Sequence, residues 1–247
     1  MYQGKIISLI MPARNEALAL PRVLTEIPSE IDQVLIVDNG STDDTARIGR
    51  LCGAKVVSES IAGYGRACLT GIRALEENPP DIVAFADADG SDDLSRLPEL
   101  LATLVNGQAD FVLARRIPSE PDAMSIQQRF GNKLATLLIY MFWGHLYRDL
   151  GPMRAIPWGS LKKLRMGDQN YGWTVEMQIR ALKSGLRIRE HPLPYRRRAA
   201  GLSKVSRTIS GAMRAGTKIL SVIFREAISG TDLPSTLGDT PLREQPK

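Results

Sequence analysis

Four short apolar runs, each closing on polar or charged residues, constrain the fold of this chain more than any other feature. They are Lys5 to Met11, Gln33 to Val37, Ala54 to Ser58 and Asp81 to Ala86, rich in the β-branched, aliphatic and aromatic residues of buried strands. Between them apolar residues recur at helical spacing, as Leu18, Leu20, Val23, Leu24 and Ile27 do after the first run and Leu69, Ile72 and Leu75 after the third. A fifth run, Ala109 to Ala114, follows a helix-like segment from Leu94 to Val105. Strands alternating with helices predict an α/β chain with a mostly parallel, doubly wound central sheet and helices on both faces. Such sheets take their ligands outside the carboxyl ends of the strands. With 247 residues, 43% of them hydrophobic, a single core of ordinary size accounts for the chain. No fixed-period repeat points to a solenoid.

The fourth run delivers the chemistry. Asp87 and Asp89 follow it one residue apart, and in extended backbone their side chains would share a face, so their oxygens can converge on one hard cation, Mg²⁺ or Mn²⁺. The plainer reading is a carboxylate-rich turn that caps the helix starting near Leu94. The company at the other strand ends weighs against it. Pro12-Ala13-Arg14-Asn15-Glu16 makes a polar shelf, and Asp38 opens a turn in which Ser41 or Thr42 can cap the next helix. Gly63-Tyr64-Gly65-Arg66 joins two glycines, which permit close backbone approach, to an arginine at a helix start that can meet a phosphate.

The second half is less regular. Ile117 to Ser125, with two prolines, reads as a loop, and Arg129-Phe130-Gly131-Asn132 opens an apolar helix from Leu134 to Trp143 that suits either a core or a membrane interface. Arg148 to Ala155 reads as a turn and short strand, and Tyr171 to Arg180 starts a helix with Glu176 near its first turn. Leu186 to Arg189 and Pro192 to Tyr195 are extended. From Val205 to Ala227, Arg207, Arg214, Lys218 and Arg225 form one helical stripe opposite Val205, Ile209, Leu220 and Ile223. This basic amphipathic helix either lies on an anionic membrane surface or docks its apolar face on the domain and leaves its cations in water. Residues 229–247 read as a disordered tail, so the expected domain spans 1–228.

The net charge of +5 is concentrated at that end, because ten Lys/Arg stand against the single acid Glu190 between Arg187 and Arg225. Phosphates, an anionic membrane surface and nucleic acid are all partners that such a patch admits. Two cysteines and two histidines show neither a disulfide framework nor metal spacing. The first strand is too short for a signal segment, and Leu134 to Trp143 has about half the length of a bilayer span. The expectation is a cytoplasmic protein without a transmembrane helix, at most peripheral on the cytoplasmic face of a membrane.

Taken in order, these motifs resemble the family 2 glycosyltransferases of the GT-A fold, a Rossmann-like nucleotide-diphospho-sugar transferase domain, and in particular the dolichyl-phosphate mannose and glucose synthases. The resemblance covers about Ile6 to Lys204. Pro12 to Glu16 matches the family's first nucleotide-binding loop, and Val37-Asp38-Asn39-Gly40-Ser41-Thr42-Asp43 its next motif, whose leading aspartate contacts the base. Asp87-Ala88-Asp89 is similar to the motif for metal and diphosphate, and Asp149 to Ala155 to a segment that opens on aspartate and closes on Arg-Ala. Tyr195, Arg198, Gly201, Ser203 and Lys204 fit the family's closing pattern, which approaches donor and acceptor phosphates. Two positions depart from the family. Ser91 stands where a metal-supporting Gln or His is frequent, and Leu113-Ala114-Arg115-Arg116 replaces a Gly-Ser-Arg, so only Arg115 carries over.

The resemblance implies a metal-dependent, inverting transfer of a hexose from a UDP- or GDP-sugar to a lipid acceptor, foremost a polyprenyl phosphate. Asp87 and Asp89, with Ser91, would hold Mg²⁺ or Mn²⁺ against the leaving diphosphate, and Arg198 with Arg129, Ser203 and Lys204 would meet phosphate oxygens. Pro12, Arg14, Asn15, Glu16, Asp38, Gly65, Arg66, Ala88 and Arg115 complete the expected donor site. A phosphate acceptor is already ionised and needs no strong base, whereas a hydroxyl acceptor such as diacylglycerol or a sugar requires one, with Asp149 and Glu176 as candidates. Other classes fit less well. The glycine-rich loop usual in nucleotidyltransferases and the Gly-x-Gly-x-x-Gly of nicotinamide dehydrogenases are both missing after the first strand. A non-catalytic nucleotide- or nucleic-acid-binding module would explain the basic end, but aromatic residues are not interleaved with the arginines, so no nucleic acid partner is expected.

Overall fold

A computed structural model describes residues 1–199 and 209–229. Its centre is a seven-stranded sheet in the order β3-β2-β1-β4-β6-β5-β7, built from β1 (Ile7–Ala13), β2 (Gln33–Asp38), β3 (Lys55–Ser58), β4 (Ile82–Phe85), β5 (Phe111–Pro118), β6 (Arg154–Pro157) and β7 (Ile188–Tyr195). β6 runs antiparallel to both its neighbours, while the pairings of β1 with β2 and β4, of β2 with β3 and of β5 with β7 are parallel. The mostly parallel α/β sheet expected from the sequence is therefore present, and the reversed strand is the one that follows Arg148 to Met153.

Strand alternation divides the core into two layers, because successive side chains point to opposite faces. Leu9, Met11, Ile36, Ile82 and Ala84 face one cluster, covered by α1 (Leu20–Thr25) and α4 (Leu97–Val105). Ile10, Leu35, Val37, Val83 and Phe85 face the other, covered by α3 (Tyr64–Ala74), α5 (Ile126–Trp143) and α7 (Trp173–Lys183). Helix α2 (Thr45–Leu51) flanks β3, and α6 (Trp158–Leu164) follows β6. The last described helix, α8 (Ile209–Ile228), packs on α5 and α7.

Several local expectations shift. Strand β5 runs on through Arg115 and Arg116 to Pro118, since its pairing with β7 extends to Tyr195. The two extended segments around Pro192 form one edge strand, a place where proline's missing donor is tolerated. Helix α5 starts eight residues before Leu134, with Ser125 and Gln128 exchanging bonds in a capping box. Neither Ser41 nor Thr42 caps α2. The Ser41 hydroxyl accepts the Asn15 amide at 2.9 Å and Thr42 donates its amide to Asn15 Oδ1 at 2.7 Å, so both tie the β1–α1 loop to the β2–α2 loop.

Candidate active site

The carboxyl ends of β1, β2 and β4 open onto a cleft of about 520 Å³, with Asp87, Ala88 and Asp89 among its lining residues. Strand β4 stops at Phe85, so the two aspartates stand in the turn beyond it and reach the cleft without the strand alternation expected of them. Gly90 makes that turn possible. Its φ is +77°, and a Cβ there would fall 2.8 Å from the Cβ of Ala199. The chain leaving β7 is stitched along the same turn, since Arg196 donates its amide to Ser91 O at 2.9 Å and Ala199 donates to Asp89 O at 2.8 Å. This places the Arg198 guanidinium 2.9 Å from Asp89 Oδ2 and 3.2 Å from Glu16 Oε1, so one cation joins the β1 loop, the β4 turn and the end of β7.

Negative charge at the turn is only partly compensated. Burial and the neighbouring Asp89 push Asp87 up to about 7, against the pull of Arg198. Burial, then Asp87 and Asp89, push Asp92 well above the usual carboxylate range. Asp87 Oδ1 is buried without a hydrogen-bond partner among the described residues. Crowded carboxylates with an orphaned oxygen are the arrangement a divalent cation relieves, so Asp87 and Asp89 fit such an ion. No group of three His, Cys, Asp or Glu among the described residues forms a cage, which leaves the rest of a coordination shell to ligand oxygens or water. Ser91 takes a different part from the one expected. It is 1% exposed and spends its hydroxyl proton on Asp89 Oδ1 at 2.5 Å, so it orients Asp89.

The remaining expected donor residues divide into two groups. Pro12, Arg14 and Glu16 line the cleft. Asn15, at φ +53°, locks the two neighbouring loops, and Asp38 accepts the Ser41 amide at 3.2 Å at the end of β2, beside Asn39, which does line the cleft. Gly65 permits a close approach, but to the backbone of Asp168 to Asn170. Arg66, whose amide donates to Gln169 O at 3.0 Å, faces a second groove between α3 and α6. Arg115 lies beside Glu190, outside the cleft. Arg129 is exposed on α5 and bonds Pro121 O at 3.0 Å, so it is not brought to the site. Ser203 and Lys204 lie outside the described residues.

Both candidate bases are committed elsewhere. Asp149 takes two bonds from the Arg116 guanidinium, each at 2.8 Å, and a third from the Arg116 amide at 2.9 Å. Glu176 is fully buried, accepts the Gly167 and Asp168 amides at 3.0 and 2.7 Å, and meets Arg180 and Arg225 at 3.0 Å. Neither lines the cleft. Several cations of the basic end are paired within the protein: Arg196 with Glu26 and Asp93, Arg197 with Glu120 and Asp122, and Lys218 with Asp168. Residues not singled out for the site also reach it, among them Tyr64, Asn170, Tyr171, Arg214 and Lys218. Only the basic stripe hinted at the last two, and the structure turns them toward the protein, where both expected arrangements turned them away.

The family model described as "Glycosyl transferase family 2" matches residues 8–164, more than half of the chain. An uncharacterized glycosyltransferase of Mycobacterium tuberculosis is 36% identical over 86% of this chain and 95% of its own length. A protein of Haloferax volcanii named dolichyl-phosphate hexose transferase is 31% identical over 92% of this chain and 98% of its own. Among solved structures, glucosyl-3-phosphoglycerate synthase from M. tuberculosis in complex with Mn²⁺, UDP and glucosyl-3-phosphoglycerate superposes with a TM-score of 0.72 at 21% identity, over 95% of this chain and 82% of that one. The last is a likeness of fold, while the family model covers more than half of the chain and the two relatives 86% and 92% of it: the chain belongs to glycosyl transferase family 2 and is a glycosyltransferase on the GT-A fold.

Proposed function

We propose that the enzyme moves a hexose from a UDP- or GDP-sugar to a polyprenyl phosphate, with inversion at the anomeric carbon. The observation that carries this reading is the commitment of Asp149 and Glu176 to buried ion pairs outside the cleft. A hydroxyl acceptor would need a positioned carboxylate as base, the part for which these two were the candidates, whereas a phosphate monoester arrives with its nucleophilic oxygen already ionised. That oxygen bonds to the anomeric carbon as the bond from carbon to the diphosphate oxygen breaks, and the diphosphate leaves with the electron pair. Bound at Asp87 and Asp89, Mg²⁺ or Mn²⁺ would supply positive charge to the leaving diphosphate. Arg198 adds a fixed cation at the same turn, already oriented by Asp89 and Glu16. Arg14 and Asn39, which line the cleft at the ends of β1 and β2, would meet the nucleoside half of the donor on this reading.

The 31% identity to a relative named for dolichyl phosphate supports a lipid acceptor. So does an apolar stripe on α5, where Phe130, Leu137, Tyr140 and Met141 share one face at helical spacing and are 69%, 51%, 49% and 69% exposed. No helix among the described residues is long and apolar enough to cross a membrane, so this stripe would dock at the surface of a bilayer, next to Arg129 and Lys133. On this reading the catalytic domain runs to about residue 228 and includes α8.

The test is transfer by purified protein with Mn²⁺ or Mg²⁺, across UDP- and GDP-sugars, to polyprenyl phosphate, to diacylglycerol and to no lipid. Transfer to polyprenyl phosphate that survives Asp149→Asn and Glu176→Gln, normalised to folded protein, bears the proposal out. Transfer confined to a hydroxyl lipid would replace it with glycolipid synthesis.

A further inference from the structure

Helix α8 was expected to present its cations to water or to a membrane. Two of them instead line the donor cleft: Arg214 and, one turn later on the same face, Lys218. The Lys218 ammonium lies 2.9 Å from Asp168 Oδ2, and its side chain is 35% exposed where that of Asp168 is 0%. Asp168 is itself fixed, since its amide donates to Glu176 at 2.7 Å and its Oδ1 accepts the Asn170 amide at 2.8 Å. Lys218 is therefore a cation paired with a buried carboxylate and lining the open cleft. Arg214, by contrast, is exposed and has no ion pair among the described residues.

The plain role for the pair of Lys218 and Asp168 would be to pin α8 to the domain. Other contacts already do that. Arg225 meets Glu176 at 3.0 Å, Arg180 and Lys183 meet Glu226 at 3.0 and 3.4 Å, and the absence of a side chain at Gly172 makes room for Val222. With the helix fixed by these, the electrostatic role left to Lys218 and Arg214 points into the cleft.

We propose that Arg214 and Lys218 form a phosphate clamp, in which both side chains bind phosphate oxygens of the sugar donor or of a phosphorylated acceptor, Lys218 turning from Asp168 to the ligand. The clamp rests on the glycosyltransferase assignment and, for its acceptor arm alone, on the acceptor proposed above. A charge-assisted contact of this kind carries about a 10- to 100-fold change in affinity.

Calorimetric titration with UDP, GDP and the matching nucleosides, each with Mn²⁺, distinguishes the sources when combined with the KM for short-chain polyprenyl phosphate. If the donor diphosphate is the ligand, Lys218→Met and Arg214→Met weaken the nucleoside diphosphate by that factor and leave the nucleoside unchanged. If the acceptor is the ligand, nucleotide affinity holds and the acceptor KM rises with little change in kcat. Lys218→Arg restores most of the loss in either arm, and Asp168→Asn, which frees the lysine, leaves phosphate binding equal or tighter. Arg214 is exposed, so its variant keeps the test informative should Lys218→Met not fold. Unchanged diphosphate affinity and unchanged acceptor KM in the Arg214 and Lys218 variants overturn the clamp. So does an Asp168→Asn protein that loses ligand affinity and melting temperature in step with Lys218→Met, since that is the behaviour of a strut. A wild-type enzyme that ignores polyprenyl phosphate but binds nucleoside diphosphate through Lys218 would refute the acceptor and keep the clamp.

Discussion

Two sets of buried carboxylates, one in the turn beside the cleft and one outside it, are treated in opposite ways. Under α7 and α8, Glu176 has four donors, two of them guanidinium groups, and Asp149 on its loop has the full fork of Arg116. At the end of β4, Asp87, Asp89 and Asp92 crowd together, and among the described residues their one salt-bridging guanidinium is that of Arg198, which pairs with Asp89 and with Glu16. Removing a partner from the first set leaves an uncompensated buried charge. Adding a cation to the second relieves one. The satisfied set holds helices and loops in place, and the unsatisfied set waits for a ligand, which is why carboxylates equally prominent in sequence have unequal parts in the chemistry.

The strongest way to break this comparison is to exchange the consequences. Asp89→Asn should lower transfer by about a thousandfold or more, the scale of losing a charge that organises metal and diphosphate in the transition state. Its melting temperature should stay near that of the wild type, because the amide can still accept from Ser91. Glu176→Gln should do the reverse. It leaves Arg180 and Arg225 facing a neutral group and costs about 3 kcal/mol in a urea titration. The fraction that remains folded should keep its kcat. A Glu176→Gln enzyme that is stable but inactive would return Glu176 to the list of bases and dissolve the distinction.

A smaller effect sharpens the electrostatic half. Asp87, pushed up to about 7 by burial and by Asp89, keeps in the folded state a proton that the unfolded chain has released above its ordinary value of 3.8. The folded state binds the extra proton between those two values, so stability from this group is present at low pH and is lost as pH rises toward and through 7. Without metal, the urea midpoint of the wild type should therefore fall more between pH 5 and pH 8 than that of Asp87→Asn. Mn²⁺ should restore more stability at pH 8 than at pH 5, because cation and proton compete for the same oxygens. Equal slopes for the two proteins would mean that Asp87 is ionised throughout.

The same contrast explains what was legible in the sequence. Strands such as Ile82 to Phe85 announce themselves by composition, and a ligand-binding edge follows from where parallel strands end, so Pro12, Arg14, Glu16, Asp87 and Asp89 were within reach. Glu176 and Asp149 looked just as chemical. Arg180 is a local partner of Glu176, but the roles of both acids also depend on the cations that the fold brings to them from 49 and 33 residues away, which no local pattern reveals. Helix α8 shows the limit most clearly. Its stripe of Arg214, Lys218 and Arg225 was visible, but a cationic stripe normally faces solvent, and here Lys218 and Arg225 pair with the buried acids Asp168 and Glu176 beneath them. The two glycines at the start of α3 were rightly read as sites of close approach, while the approaching group is the loop of Asp168 to Asn170.

The smallest effect on stability separates a third region from both carboxylate sets, because the stripe on α5 should matter to neither folding nor donor chemistry. Phe130 and Met141 are 69% exposed, and the ring of Phe142 reaches Phe224 of α8 at 5.8 Å, so an apolar surface spans both helices. Replacing Phe130, Leu137 and Met141 with serine removes apolar surface from water and should change the unfolding free energy from urea titration by about 0.5 kcal/mol or less per site. Donor hydrolysis and transfer to a short, water-soluble polyprenyl phosphate should be unchanged. Co-sedimentation with anionic vesicles, and transfer to a long-chain acceptor embedded in them, should both fall sharply, since each buried apolar side chain contributes about 1.5–3 kcal/mol to insertion at an interface. If vesicle binding survives and a dimer in solution is lost instead, the stripe belongs to a subunit interface. The acceptor would then have to reach the cleft without a docking surface on α5, and the lipid reading would rest on the committed carboxylates and the named relative alone.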